Sequence, residues 1–292
     1  MKLLAPTLAA LAALPLASAF HKGFNVAAQR PDGSCKNQAD WEKNFNVIKG
    51  LPGGFKDVRV YASSDCGTLA QAVPAALNTG IQLLVGVWTE NNDHYNAEKA
   101  ALLAAAKKYG VKWISAISVG SEDLYRGDTN AQTLANQIYD VRGMMTTVGG
   151  KGIWVGHVDT WTAWVNDANA AVIKACDFIG FDGYPYFQNA AIGNAKSVFQ
   201  QSVDATKAAI QRHKPGTPLW ITETGWPVAG PNYGAAVPSK ANAQTYWKQV
   251  ICPLFPSYAT YAYTLRDYYA APAGPSFGVV DYYFKPLFNL AC

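Results

Sequence analysis

Trp220-Ile221-Thr222-Glu223-Thr224-Gly225-Trp226-Pro227 closes a short apolar run with a carboxylate and a turn. Ile117-Ser118-Val119-Gly120-Ser121-Glu122 does the same earlier in the chain. An ionisable side chain at the end of a buried strand does little for stability. It is well placed for chemistry in an α/β barrel, whose active site lies at the carboxyl ends of the strands. Two such carboxylates suit acid/base or nucleophilic work on one bond. The bland alternative is a pair of surface or salt-bridged glutamates.

Working outward, runs rich in Val, Ile and aromatics recur at Gly23–Val26, Asp57–Tyr61, Gln82–Val87, Trp113–Val119, Gly152–His157, Phe178–Asp182, Pro218–Thr222 and Thr260–Leu265. Helical patterns lie between them. Gln38 to Gly50 carries Trp41, Phe45 and Ile48 on one face. Asn96 to Tyr109 is alanine-rich, with Lys107 and Lys108 near its end and Gly110 as a stop. Thr129 to Val148, Ala168 to Lys174, Ala195 to His213 and Ser239 to Val250 read similarly, and Leu69 to Asn78 is the weakest because Pro74 interrupts it. Strand–helix alternation repeated eight times predicts parallel strands with right-handed crossovers, closed as a single (β/α)8 TIM barrel. The runner-up is an open doubly wound sheet, but no Gly-x-Gly-x-x-Gly follows the first strand. Gly149-Gly150-Lys151-Gly152 lacks the Gly-Lys-Ser/Thr of a phosphate loop. Glu122 and Glu223 lie about a hundred residues apart, three strand–helix repeats, so both face the same mouth of the barrel.

The chain has 292 residues. Residues 1–19 read as a signal peptide: Lys2, then an apolar stretch from Leu8 to Leu16, then Ala17-Ser18-Ala19 as a cleavage site. Residues 20–292, about 270, suit one barrel domain, and no linker divides them. A net charge of +4 without a Lys/Arg run argues against nucleic-acid binding. No long apolar segment follows the leader, so no membrane span is expected, and the C-terminus lacks a lipid-anchor tail. No Asn-x-Ser/Thr acceptor occurs. In an oxidising compartment an even subset of the five cysteines should pair. The expectation is Cys35–Cys66 and Cys252–Cys292 with Cys176 free and buried, although the connectivity does not follow from spacing. No Cys-x-x-Cys and no suitable His/Cys spacing suggests a metal.

Glu223–Pro227 (Glu-Thr-Gly-Trp-Pro), Val119–Glu122 (Val-Gly-x-Glu) and Tyr184–Phe187 (Tyr-Pro-Tyr-Phe) resemble glycoside hydrolase family 17. Ser118–Arg126, Gly156–Val165 and Lys285–Cys292 are most similar to its fungal cell-wall β-1,3-glucanases and glucanosyltransferases. The resemblance implies retaining chemistry on β-1,3-glucan, with Glu122 as general acid/base and Glu223 as nucleophile. A retaining pair needs its carboxyls about 5–5.5 Å apart. Two departures stand out. Ser121 replaces the family's usual Asn, which would hold the sugar 2-hydroxyl. The stretch Tyr263-Thr264-Leu265-Arg266-Asp267-Tyr268 lacks the usual Phe-Asp-Glu, which weakens Arg266 and Asp267 as site residues.

Around the pair, Tyr184 is expected to donate to Glu223, with a core tyrosine as the alternative. Trp226 would floor a sugar or pack under its loop. Asp159 and Trp161 after strand five suit a sugar groove, as does Trp88, with Glu90, at the end of strand three. Arg59 and Tyr61 lie on strand two, and a buried Arg59 would pair with an acid beneath the carboxylates. His157 reads as a satisfied core histidine.

The expected function is thus a secreted, extracellular or cell-wall endo-acting β-1,3-glucan hydrolase. It would be a monomer acting on β-1,3-glucan polysaccharide and oligosaccharides, without nucleic acid, membrane, metal or organic cofactor. A glucanosyltransferase shares the first half-reaction. A glucan-binding protein that no longer cuts is the remaining alternative, favoured only by Ser121.

Overall fold

The computed structural model describes residues 20–267 and 274–292. The expected leader and Tyr268 lie outside them. Eight parallel strands close a barrel in chain order: β1 (Lys22–Asn25), β2 (Asp57–Val60), β3 (Gln82–Val87), β4 (Ile114–Ser121), β5 (Val155–Thr160), β6 (Ile179–Asp182), β7 (Leu219–Thr224) and β8 (Thr260–Ala262), with β8 pairing back onto β1. The expected (β/α)8 barrel is therefore present.

The outer helices include α1 (Gln38–Gly50), α2 (Thr68–Thr79) and α3 (Asn92–Tyr109). A short α4 (Asp123–Arg126), α5 (Ala131–Thr146), α6 (Trp161–Trp164), α7 (Ala170–Ala175), α8 (Ala195–His213) and α9 (Lys240–Tyr246) follow. Helix α1 starts where expected because Asn37 and Asp40 form a reciprocal capping box. Pro74 does not break α2: Leu69, Ala72, Val73, Ala75 and Ala76 are buried, and that packing outweighs the lost backbone bond. The last expected helix is only partly α-helical, continuing past Tyr246 as a π-turn over Trp247–Ile251.

The main core lies between strands and helices. A smaller cluster of Leu84, Ala116, Phe178, Trp220, Ala259 and Tyr261 forms a separate apolar group on the strands. There Phe178 stacks on Trp220 with centroids 4.4 Å apart. Disulfides join Cys35 to Cys66 and Cys252 to Cys292, and Cys176 is free and buried, as expected. The first ties the loop after β1 to the loop after β2, at the same end of the barrel as the two glutamates. The strand expected at Gly152–His157 begins later, because Gly149 and Gly152 adopt left-handed backbone in the preceding turn. Asp159 consequently sits within β5 rather than on a loop. Among the described residues no helix is long and apolar enough to cross a membrane.

Candidate active site

Apart from one early in β3, between Leu83 and Leu84, the barrel's register shifts fall towards the carboxyl ends of its strands, where the charged residues are. Shifts fall between Ser118 and Ser121 in β4, between Phe181 and Asp182 in β6, and between Ile221 and Thr224 in β7. Such irregularities re-aim side chains. In β4 the device is Gly120, with φ +74°: an added Cβ would fall 2.2 Å from Asp123 Oδ2. Glu122 itself has φ +58°, a left-handed conformation that costs a non-glycine residue energy and is characteristic of functional sites. Glu223 is the penultimate residue of β7.

Glu122 and Glu223 line the same cleft, which opens into two cavities of about 510 and 590 Å³ on either side of them. Glu223 is held tightly. Its Oε1 accepts from Arg59 Nη1 at 2.5 Å and Tyr61 Oη at 2.9 Å, and its Oε2 accepts from Tyr184 Oη at 2.7 Å. Arg59 is completely buried. It also donates to Asn25 Oδ1 at 3.0 Å and to Ser121 Oγ at 2.9 Å. Asn25 in turn donates to Thr222 O at 2.9 Å, which braces the guanidinium against the strand that carries Glu223. Glu122 has no comparable set of donors. Its nearest cation is Arg126, 3.8 Å away. Arg126 also donates to Ser121 O at 2.7 Å and lies over the Trp88 ring.

A third carboxyl joins the pair. Asp182, at the end of β6, is buried and pairs in register with Glu223. It accepts from Thr222 Oγ1 at 2.8 Å, while its second oxygen is buried without a partner. Of the three, only Glu223 bonds the buried guanidinium, so a negative charge is best compensated there. Burial, then the Glu223 and Asp159 charges, push Glu122 up to about 7. Burial and Glu223 hold Asp182 well above the usual carboxylate range. The arrangement supplies one carboxylate able to attack and one carboxylic acid able to donate a proton. Because burial and Glu223 favour the protonated form of Asp182, Asp182→Asn should retain at least about a tenth of wild-type kcat/KM. A thousandfold loss would show that this side chain carries charge.

The structure sorts the expected residues plainly. Tyr61, Trp88 and Ser121 line the first cavity and Tyr184 and Trp161 the second. Arg59 lies beneath Glu223. Trp226 is a correction: it is 3% exposed, its indole donates to Val237 O at 3.1 Å, and it packs on Tyr186 and Tyr246. It supports the loop and offers no sugar platform. Asp159 does not line the cleft either, although its charge reaches Glu122. It is fully buried and accepts from Leu124 N and Thr160 N, and its Oδ2 lies 2.9 Å from His157 Nε2. His157 is the satisfied core histidine expected, its other ring nitrogen 2.7 Å from Val119 O. Burial opposes charging His157, but Asp159 outweighs that and raises it. Arg266 and Asp267 line the first cavity despite the divergent local sequence.

Sequence reading does not single out Asn25, Arg126 or the second cavity's Tyr125, Phe187, Tyr233 and Phe277. Asp182 carried the same strand-end signal as the glutamates. Tyr233 and Phe277 come from distant loops and leave no local signal. Asp65, His94 and Glu98 also group closely enough to suggest a cation site. Yet Glu98 already accepts from Ser63 N, Ser64 N, Ser64 Oγ and Trp88 N. The group reads as a clamp joining the loops after β2 and β3.

The model of the BtgE/BtgC glycoside hydrolase domain matches residues 23–282. The chain is 44% identical over 304 residues to the probable glucan endo-1,3-β-glucosidase of Aspergillus fumigatus, covering 96% of this chain and 67% of that protein. Across the Aspergillus relatives it spans about two thirds of their length, down to 63%. It is 38% identical over 239 residues to the glucan 1,3-β-glucosidase of Saccharomyces cerevisiae, covering 79% of this chain and 75% of that one. The glycoside hydrolase family 17 β-1,3-glucanosyltransferase of Rhizomucor miehei superposes with a TM-score of 0.81 at 27% identity, over 92% of this chain and 98% of that one. Barrel, strand-end motifs and relatives agree: the chain belongs to the BtgE/BtgC glycoside hydrolase domain family.

Proposed function

We propose that the protein is a retaining, endo-acting β-1,3-glucan hydrolase working by double displacement. The observation that carries this reading is the asymmetry of its two cleft glutamates: Glu223 lies under three donors and Glu122 is pushed up to about 7. Glu223 attacks the anomeric carbon while the bond to the leaving sugar oxygen breaks, and Glu122 gives that oxygen its proton. The glycosyl ester that forms removes the negative charge of Glu223, so Glu122 then holds its charge more easily. Glu122 takes a proton from the incoming water, whose oxygen displaces Glu223. The cleft runs open past both sides of the pair, which suits attack inside a chain. Trp88, Trp161 and Tyr184 offer rings, and Ser121 and Tyr61 hydroxyls, to the sugars.

A second reading is favoured by the second cavity. Trp161, Tyr184, Phe187, Tyr233 and Phe277 wall it beside both glutamates. A sugar held there outcompetes water for the intermediate, giving transfer to another glucan. The Rhizomucor miehei glucanosyltransferase, an active-site mutant of which is known in complex with laminaritriose, adds weight to it. Incubation with a linear laminari-oligosaccharide followed by product sizing separates the two. Shorter products alone mean hydrolysis, products longer than the starting chain mean transfer, and unchanged substrate overturns both.

The proton on Glu122 sets a further expectation. The first step needs it, so activity falls as pH rises past about 7. A kcat/KM profile, which reports the free enzyme, should show its basic limb there; a limb near pH 4.5 would show Glu122 unperturbed and the acid elsewhere. We place the protein outside the cell or in the wall, as a monomer. The leader-like residues 1–19 and the two disulfides support an oxidising destination.

A further inference from the structure

Beyond the catalytic cleft, on the same end of the barrel, lies a smaller cavity of about 250 Å³. Arg266 lines both it and the first cavity of the cleft, and Gln29 of the cleft is followed directly by Arg30 of the smaller cavity. The two are therefore neighbours that share Arg266 as a wall. The smaller one carries Tyr282 and Tyr283, 63% and 77% exposed.

The turn that carries them is held at its backbone. Asp281 Oδ1 accepts from Tyr283 N and Lys285 N, both at 2.8 Å, and Phe284 N donates back to Asp281 O at 3.0 Å. Arg266 Nη1 donates to Tyr282 O at 3.0 Å. Phe284 adopts φ +65°, a left-handed conformation unfavourable for a bulky residue. Its ring lies between the Arg266 guanidinium, 4.2 Å from its centroid, and Lys43 Nζ, 5.0 Å away. So the turn anchors one aromatic inward, at a cost in backbone strain, and presents the two before it to solvent. Strain of this kind is a pointer to function.

The cations around this cavity are already engaged. Arg30 pairs with Asp40 and bonds Ser34 Oγ, and Lys36 donates to Ala27 O and Gln29 O. Burial, then Arg266, pull Lys36 down to about 7. Carboxylates of Asp32 and Asp40 stand beside those cations, and with the exposed aromatic faces this suits a neutral, hydroxyl-rich sugar rather than an anion. The rings of Tyr282 and Tyr283 stand 5.3 Å apart at 85°. Successive units of a β-1,3-linked chain are turned relative to one another, so two rings at right angles fit it better than a flat β-1,4-linked ribbon.

We propose that Tyr282 and Tyr283 form a remote subsite that stacks glucose units of the same β-1,3-glucan strand whose linkage is broken between Glu122 and Glu223. This rests on the β-1,3-glucan reading of the cleft and adds a determinant of chain length to it. The test compares kcat/KM on long linear β-1,3-glucan with kcat/KM on the shortest laminari-oligosaccharide cleaved. In the Tyr282→Ala/Tyr283→Ala double variant the ratio of long to short should fall about five- to tenfold. The Tyr282→Phe/Tyr283→Phe variant, which keeps the ring faces, should restore it to within about twofold. An unchanged ratio in the alanine variant, or an equal loss on both substrates, overturns the subsite. A wild-type protein that leaves every β-1,3-glucan intact overturns the glucan reading itself, and that result appears before any variant is made.

Discussion

Glu223→Gln should lower kcat on β-1,3-glucan by roughly ten-thousandfold or more while the protein still folds and binds glucan. The amide keeps the shape of the side chain but cannot form the glycosyl ester, and losing a covalent nucleophile removes the easier of two paths. It also places an NH2 group where Arg59, Tyr61 and Tyr184 all donate. A fluorinated glycoside that traps the intermediate, followed by peptide mapping, supplies the direct check. Label on the Glu223 peptide in the wild type and none in Glu223→Gln is the expected pair of results. Label on Glu122 or Asp182 would defeat the assignment. Retained turnover in Glu223→Gln would do the same. Glucan binding without any wild-type turnover would instead establish the non-cutting alternative.

Arg59→Met should cost both stability and activity. The guanidinium is completely buried and binds Glu223, Asn25 and Ser121. Methionine fills most of the volume but leaves a carboxylate buried without a counter-charge, a loss of about 3–5 kcal/mol. For a chain of this size that is a fall in Tm of about 10 °C. The pH dependence gives the mechanism away. Burial works against the charge on Arg59, but the Glu223 carboxylate that it bonds outweighs this and raises its proton affinity. Arg59 thus stays charged throughout, and what titrates in the variant is the carboxyl cluster. Protonating that cluster removes the unpaired charge, so the deficit in Tm should shrink as pH falls and widen towards neutral pH. A deficit independent of pH would mean that Arg59 contributes packing alone.

Both variants probe a site whose centre was readable from local pattern. Glu122 and Glu223 each end an apolar run, and that signal depends only on neighbours along the chain. Tyr184 and Trp161 were readable in the same way, because strand ends project into the barrel mouth. Trp226 was misleading for the same reason. Its position after Glu223 suggests the cleft, but the loop folds back and its indole finds Val237 O. Asp159 looked like a groove residue only because β5 was placed too early. A shift of three residues along the chain separates a strand residue bonded to His157 from one on a loop.

The alternation of strands and helices and the two strand-end acids were legible in the order of residues, because each depends on periodicity, residue type or motif within a short stretch. The pairing of Cys35 with Cys66 and of Cys252 with Cys292 was an expectation that only the fold could decide. The allocation of protons was not legible. Which of three carboxyls holds the negative charge depends on where Arg59, Tyr61, Tyr184 and Asn25 converge, and those come from β1, β2 and the segment after β6. Electrostatic energy follows distance and burial rather than position along the chain, so only the closed barrel, by bringing remote strands within hydrogen-bonding reach, gives the two glutamates the unlike surroundings on which their proposed roles rest.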